Sequence, residues 1–263
     1  MRQKLGGDPG KADREEVLQE GVIAGRNAVM EALKGGAALE KIFVARGERQ
    51  GSIVRILALA REKKVPIQEA DRVKLDYLSG ITTHQGIVAY LSQTTYCTVE
   101  EMLEIARQKG EPPFLILCDE VADPHNLGAI LRTAEIAGAH GVIVPRHRGV
   151  GITPTVAKAS AGAVFHVPVA KVTNLVRTME ELKQKGVWIY GTDAAASSDL
   201  YETDLTGSLV LVVGSEGAGM SRLVRETCDF LVSIPMYGKI NSLNASVAAG
   251  IVMYEVVRQR RKR

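Results

Sequence analysis

Three segments of this 263-residue chain place polar side chains and glycines at the ends of apolar runs, where a bound ligand could be worked on. The first runs from Asp119 through Asp123-Pro124-His125-Asn126-Leu127-Gly128 to Arg132 and Ala134. A buried strand gives way to a turn at Asp123-Pro124, and a helix begins at Asn126. Asn is a good N-cap, and Gly128 lets another group approach the first turn. Leu127, Ile130, Leu131 and Ala134 share one face and bury the helix. Arg132 lies off that stripe. It either pairs with Glu135 at the surface, an interaction of little energetic value, or holds a phosphate or ribose at the carboxyl ends of the strands.

The second segment is Val212-Val-Gly-Ser-Glu-Gly-Ala-Gly-Met-Ser221. Gly214, Gly217 and Gly219 fall as G-x-x-G-x-G. That is not the dinucleotide spacing, which disfavours a nucleotide-dependent oxidoreductase, and no P-loop lysine is present. Glu216 would repel a phosphate cradled there, so the loop suits a ligand with hydroxyls or a cation. The structural alternative is a tight turn with Glu216 stabilising the next helix. In the third segment, Ile234-Pro-Met-Tyr-Gly-Lys-Ile-Asn-Ser-Leu-Asn-Ala-Ser246, a strand ends at Pro235 and a glycine loop follows. Ser242, Asn244 and Ser246 then open a helix of small residues. Capping explains one of these three polar groups.

The elements that must position these segments fall into two units. Residues 1–20 are polar and contain Gly and Pro, and they read as a disordered tail. Residues 21–92 alternate short strands (41–45, 66–70, 84–91) with helices over 27–33, capped by Asn27, 53–64 and 71–78, a small α/β domain. Residues 93–112 read as a connector with a polar helix over 99–108, ending in Pro112-Pro113. Residues 113–263 hold apolar runs at 114–118, 141–144, 164–168, 187–190, 209–213 and 230–234, most of them separated by helical stretches. This pattern predicts a parallel sheet covered on both faces.

Bulk composition excludes little. The net charge of +3 permits a nucleic-acid partner without requiring one. The basic end, Arg258, Arg260, Arg261, Lys262 and Arg263, reads equally as a solvated helix end or as a phosphate contact. Cys97, Cys118 and Cys228 form no Cys-x-x-Cys pair, so neither a zinc site nor a disulfide framework is indicated, which fits a reducing cytoplasm. No segment has the pattern of a signal peptide or a membrane span. His84 reads as an RNA contact or as the shaper of a turn. Lys239 is a loop cation, and His125 a minor candidate for a base.

Taken together, the three segments read D-P-x-N-x-G-x-x-x-R-T-A, G-S-E-G-x-G-M and I-P-M-x-G-x-x-x-S-L-N-x-S. In that order they resemble the signature motifs of the SpoU/TrmH family of RNA ribose methyltransferases, within the SPOUT superfamily. The resemblance spans about 114–257, with Ala245 where many members carry Val. Gly25-Arg-Asn-Ala-Val-Met-Glu-Ala-Leu33 and Thr83-His-Gln-Gly-Ile-Val-Ala89 resemble the RNA-binding domain of the two-domain subgroup. That subgroup includes the enzyme methylating the 2′-hydroxyl of a guanosine in 23S rRNA.

The resemblance implies a C-terminal SPOUT domain with a parallel sheet and a trefoil knot, preceded by a small α/β RNA-binding domain. It implies S-adenosyl-L-methionine as cofactor, RNA as substrate, a homodimer and no metal. By motif position, Asn126, Arg132, Glu216, Ser242 and Asn244 form the catalytic group. Gly214, Ile234 and Leu243, with Met236 and Gly238 in the same loop, hold the cofactor. Family proposals make Arg132 the base. A guanidinium is effectively always protonated, so anchoring a phosphate and orienting the hydroxyl is an equally physical role. Competing readings are tRNA or another rRNA nucleotide as target, and an inactive RNA-binding assembly factor on the same fold.

Overall fold

The computed structural model describes residues 21–48, 50–91, 96–240 and 242–261. The tail read over 1–20, the first residues of the connector, and Lys262 and Arg263 lie outside the described residues.

The first unit runs β1 (Val22–Ala24), α1 (Arg26–Lys34), β2 (Leu39–Ala45), α2 (Ser52–Glu62), β3 (Ile67–Ala70), α3 (Arg72–Ser79) and β4 (Ile87–Leu91). The sheet order is β1-β4-β2-β3, with β2 and β3 parallel and β4 antiparallel to both its neighbours. Alternate strand residues serve opposite faces. Ile23, Ile42 and Ile87 pack with Val29 and Ile56, while Val22, Phe43 and Val88 pack with Leu75.

Two expectations here need correction. Asn27 does not cap α1: the helix starts at Arg26 behind Gly25 (φ 104°), whose Cβ-free backbone tolerates that angle. The Arg26 N–H is taken instead by Gln85 Oε1 at 3.0 Å. The last strand begins at Ile87 rather than at 84, because His84-Gln85-Gly86 forms a turn with Gln85 at φ 54° and Gly86 at φ 79°. His84 is buried and shapes that turn. Its Nδ1 accepts from Gly86 N at 3.0 Å, and its Nε2 lies 3.0 Å from Asp76 Oδ1.

The second unit contains α4 (Val99–Lys109), β5 (Phe114–Cys118), α5 (Pro124–Ile136), β6 (Gly141–Pro145) and α6 (Pro154–Ala159). It continues with β7 (Val169–Val172), α7 (Leu175–Gln184), β8 (Trp188–Thr192), β9 (Ser198–Asp199) and β10 (Leu209–Val213). It closes with α8 (Arg222–Thr227), β11 (Phe230–Ser233) and α9 (Ala245–Arg260). Its seven strands are ordered β7-β6-β5-β10-β8-β11-β9 and pair in parallel throughout. The runs of β5, β6 and β10 are buried on both faces, as the middle of a parallel sheet requires. Phe114, Ile116 and Cys118 pack with residues of α5 and α9, and Leu115 and Leu117 with residues of α4 and α7.

The polar helix expected within the connector is α4. A capping box between Thr98 and Glu101 starts it, and Val99 and Met102 enter the core under the seven-stranded sheet. The run 164–168 is not a strand. Ala163–Phe165 forms a 3₁₀ turn after Gly162 (φ 90°), and the strand begins past Pro168, at Val169. This turn meets the first unit: a Cβ on Gly35 would lie 2.4 Å from Phe165 O, and His166 Nε2 is 2.9 Å from Glu31 Oε2. Lys158 Nζ reaches Thr83 Oγ1 at 2.9 Å across the same contact. Among the described residues, no helix is long and apolar enough to cross a membrane.

Candidate active site

Because every strand of the second sheet runs the same way, the loops after β5, β8, β10 and β11 emerge at one end, where open α/β sheets bind ligands. The loop after β5 delivers Asn126. Pro124 occupies the first turn of α5 and Asp123 Oδ1 accepts from His125 N at 2.9 Å, so the cap is Asp123 and not Asn126. That shift places Asn126 within the first turn, buried, with its carboxamide free to leave the helix. Gly128 is required for packing: a Cβ there would lie 2.4 Å from the Cβ of Ala159 on α6.

The loop after β10 folds back on itself. Ser215 N donates to Gly219 O at 2.9 Å and Gly219 N to Ser215 O at 3.0 Å. Gly214 makes this possible, since a Cβ there would sit 2.2 Å from the Gly219 carbonyl carbon, and Gly217 (φ 79°) and Gly219 (φ 70°) take left-handed backbone. The turn holds out Glu216, which does not serve the next helix. That task falls to the buried Asp119, whose Oδ2 accepts from Ser221 N at 2.7 Å.

Asn244 joins the loops. Its Oδ1 caps α9 by accepting from Ser246 N (3.0 Å), Val247 N (3.3 Å) and Ser246 Oγ (2.6 Å). Its Nδ2 donates to Asn126 Oδ1 at 3.0 Å and also to Glu216 Oε1. Asn126 Nδ2 donates to the same Glu216 oxygen at 3.0 Å. Asn126, Glu216 and Asn244, up to 118 residues apart in the chain, thus form one closed cluster. Two amides on one carboxylate oxygen fix its direction and leave the other oxygen to accept from a hydroxyl.

Beside the cluster lies a cavity of about 510 Å³, within the range of small-molecule sites. Its walls include Gly214, Ile234, Met236, Ser242 and Leu243, all anticipated from the sequence. Gly238 is exposed and does not line it. Arg132 stands apart. It is exposed on α5 and makes no ion pair among the described residues, so the pair with Glu135 is not formed. His125 and Lys239 are exposed outside the cluster.

The walls also hold residues that the sequence reading missed: Thr192 at the end of β8, Asp193 and Ala195 just after it, and Arg225 on α8. Asp193 Oδ2 accepts from Arg225 Nε at 2.5 Å and its Oδ1 from Ala195 N at 2.8 Å. The Arg225 guanidinium, aided by that backbone N–H, holds the Asp193 carboxyl below its usual range. No spacing in the sequence links positions 193 and 225. Only an acid directly after a buried strand could have drawn attention to Asp193.

The three cysteines are free, and burial pushes the thiols of Cys97 up to about 11 and of Cys118 and Cys228 up to about 12. They stay protonated and unreactive at neutral pH.

Residues 113–254 match the SpoU rRNA methylase family, and residues 22–97 match the RNA 2′-O ribose methyltransferase substrate-binding domain. The chain is 49% identical over 243 residues to YacO of Bacillus subtilis, a protein assigned to the TrmH family of tRNA/rRNA methyltransferases, covering 92% of this chain and 97% of YacO. Among solved structures it resembles the SpoU methyltransferase AviRb of Streptomyces viridochromogenes in complex with the cofactor AdoMet. The TM-score is 0.79 at 26% identity, covering 92% of this chain and 91% of that one. An AdoMet-bound rRNA methyltransferase from Sinorhizobium meliloti matches with a TM-score of 0.75 at 26% identity, covering 90% and 86%.

Proposed function

The chain belongs to the SpoU rRNA methylase family, and from that premise we propose that it methylates the ribose 2′-hydroxyl of one guanosine in 23S rRNA. At the coarser level it is an RNA methyltransferase of the TrmH family that uses S-adenosylmethionine. The observation that carries transfer to a ribose hydroxyl is the Asn126–Glu216–Asn244 cluster beside the cavity at the carboxyl ends of the strands.

The cavity fits the cofactor. The collapsed Gly214–Gly219 turn exposes backbone groups, Ile234, Met236 and Leu243 offer apolar contact for a nucleoside, and Asp193 with Arg225 supplies charge. When bound, S-adenosylmethionine supplies a methyl group on a positively charged sulfur. Gly214, Ile234 and Leu243 hold it, and Ser242 lies at the wall shared with the cluster. Glu216, fixed by two carboxamides, accepts a hydrogen bond from the ribose hydroxyl and aims its oxygen. Arg132 anchors the adjacent phosphate, which suits a group that stays protonated. Positioning is the main contribution of these residues.

Two further features of the family follow. The order β5-β10-β8, with α9 returning after β11 to pack on α5, supports a threaded, knotted C-terminal segment. Exposed Ile136, Val247 and Tyr254 on α5 and α9 support pairing of two copies there.

The first unit favours rRNA, because the two-domain subgroup it resembles includes the enzyme methylating a guanosine of 23S rRNA. Incubation with radiolabelled cofactor and purified 23S rRNA or tRNA tests the choice. We expect label in 23S rRNA at a single guanosine whose ribose resists alkaline cleavage. Label confined to tRNA overturns the target, and label in neither overturns the enzyme reading in favour of an assembly factor.

A further inference from the structure

After β6 the chain runs Arg146-His147-Arg148-Gly149-Val150 across the same end of the sheet as the Asn126–Glu216–Asn244 cluster. Hydrogen bonds from backbone N–H groups hold this loop in place. Arg146 N donates to Val172 O at 2.7 Å, Val150 N to Val121 O at 2.9 Å, and Ile152 N to Tyr96 Oη at 2.9 Å. The second of these ties the loop to the segment that leads into Asn126.

Two non-glycine residues take left-handed backbone at this junction, Glu120 at φ 55° and Arg148 at φ 62°. Such angles are uncommon for residues with a Cβ and collect where a site holds them. The two face each other, with Arg148 Nη1 3.7 Å from Glu120 Oε1. The Arg148 side chain is 83% exposed, so this pair is too weak to account for both. A glycine would serve the turn equally well. Arg146 and His147 are exposed too, and neither makes an ion pair among the described residues. A fixed loop thus presents three successive basic residues at the rim of the site, answered by one weakly paired carboxylate.

We propose that Arg146 and Arg148, with His147 between them, hold backbone phosphates of the RNA strand beside the nucleotide whose ribose is modified. This rests on the reading of the chain as an RNA methyltransferase and extends it. RNA contact is then shared between the substrate-binding domain and the methylase domain, whose rim sets where the strand enters.

Filter binding of deproteinised rRNA to the full-length protein, across about 50 to 200 mM salt, tests this. For an Arg146→Ala/Arg148→Ala double variant we expect Kd to rise roughly tenfold and the slope of log Kd against log salt to fall by about 1 to 2. Affinity for S-adenosylhomocysteine stays at the wild-type value. Arg148→Gly, which suits the left-handed backbone, keeps or raises the melting temperature while weakening RNA binding. Wild-type Kd and slope in both variants overturn the proposal. Methyl incorporation by the wild type into the same RNA is measured alongside. Its absence counts against the methyl-transfer reading, while the binding slopes alone decide the phosphate contacts.

Discussion

Asn244 does two jobs with one side chain: its oxygen caps α9, and its nitrogen reaches Glu216 and Asn126. The jobs can be separated. Asn244→Ser keeps a good cap and removes the amide donor, so the variant is expected to melt within a few degrees of wild type and to lose turnover. Retained turnover would remove Asn244 from the site. Arg132→Ala is expected to abolish turnover with cofactor affinity nearly intact, because Arg132 lies outside the cavity. Calorimetry showing lost cofactor binding would sink that assignment. At this scale the motifs made Asn126, Glu216 and Asn244 legible, since each is polar at the end of an apolar run. Asp193, Arg225 and Asp119 were not, because their partners lie 32 and 102 residues away and only the folded sheet end brings them together.

At the scale of elements, glycines decide how closely segments approach. Gly214→Ala puts a Cβ 2.2 Å from a backbone carbon that cannot yield as a side chain would. We expect about 1–3 kcal/mol of lost stability in a urea titration and at least about tenfold weaker S-adenosylhomocysteine binding. Gly207→Ala, where a Cβ meets nothing within 4 Å, serves as the control. A Gly214→Ala protein with wild-type affinity contradicts the account of the turn. Apolar runs fixed most strands, because burial on both faces leaves a plain signature. The run at 164–168 misled for a physical reason: Phe165 is turned toward the first unit at Gly35, a contact that no local pattern encodes. The start of α5 was misplaced because Asp123 and Asn126 are both good caps, and Pro124 settles the choice.

Across the whole molecule, charges that looked free are used to fasten parts together. Arg260 fastens the end of α9 to the connector and to the turn before β10. Its guanidinium donates to Pro112 O, Pro113 O and Gly207 O at 2.7–3.1 Å and lies over the Phe114 ring. Burial lowers its pKa from the usual arginine range. Arg258 pairs with the buried Glu255.

Glu31 fastens the two units. Its bond to Lys34, opposed by burial and helped by His166, lowers its pKa below the usual carboxylate value. A depressed carboxylate stabilises the fold above its unfolded pKa, and that contribution fades as pH falls through the folded value. Glu31→Gln should therefore melt below wild type at neutral pH, with the difference vanishing in acid. A pH-independent difference in calorimetry would show that the pair contributes no charge-dependent stability.

The most direct test of the central claim is a map of ribose methylation in 23S rRNA from cells with and without this gene. The account predicts that one guanosine loses its 2′-O-methyl group in the deletion and regains it with the wild-type gene but not with Arg132→Ala. An unchanged map, or restoration by Arg132→Ala, would contradict it.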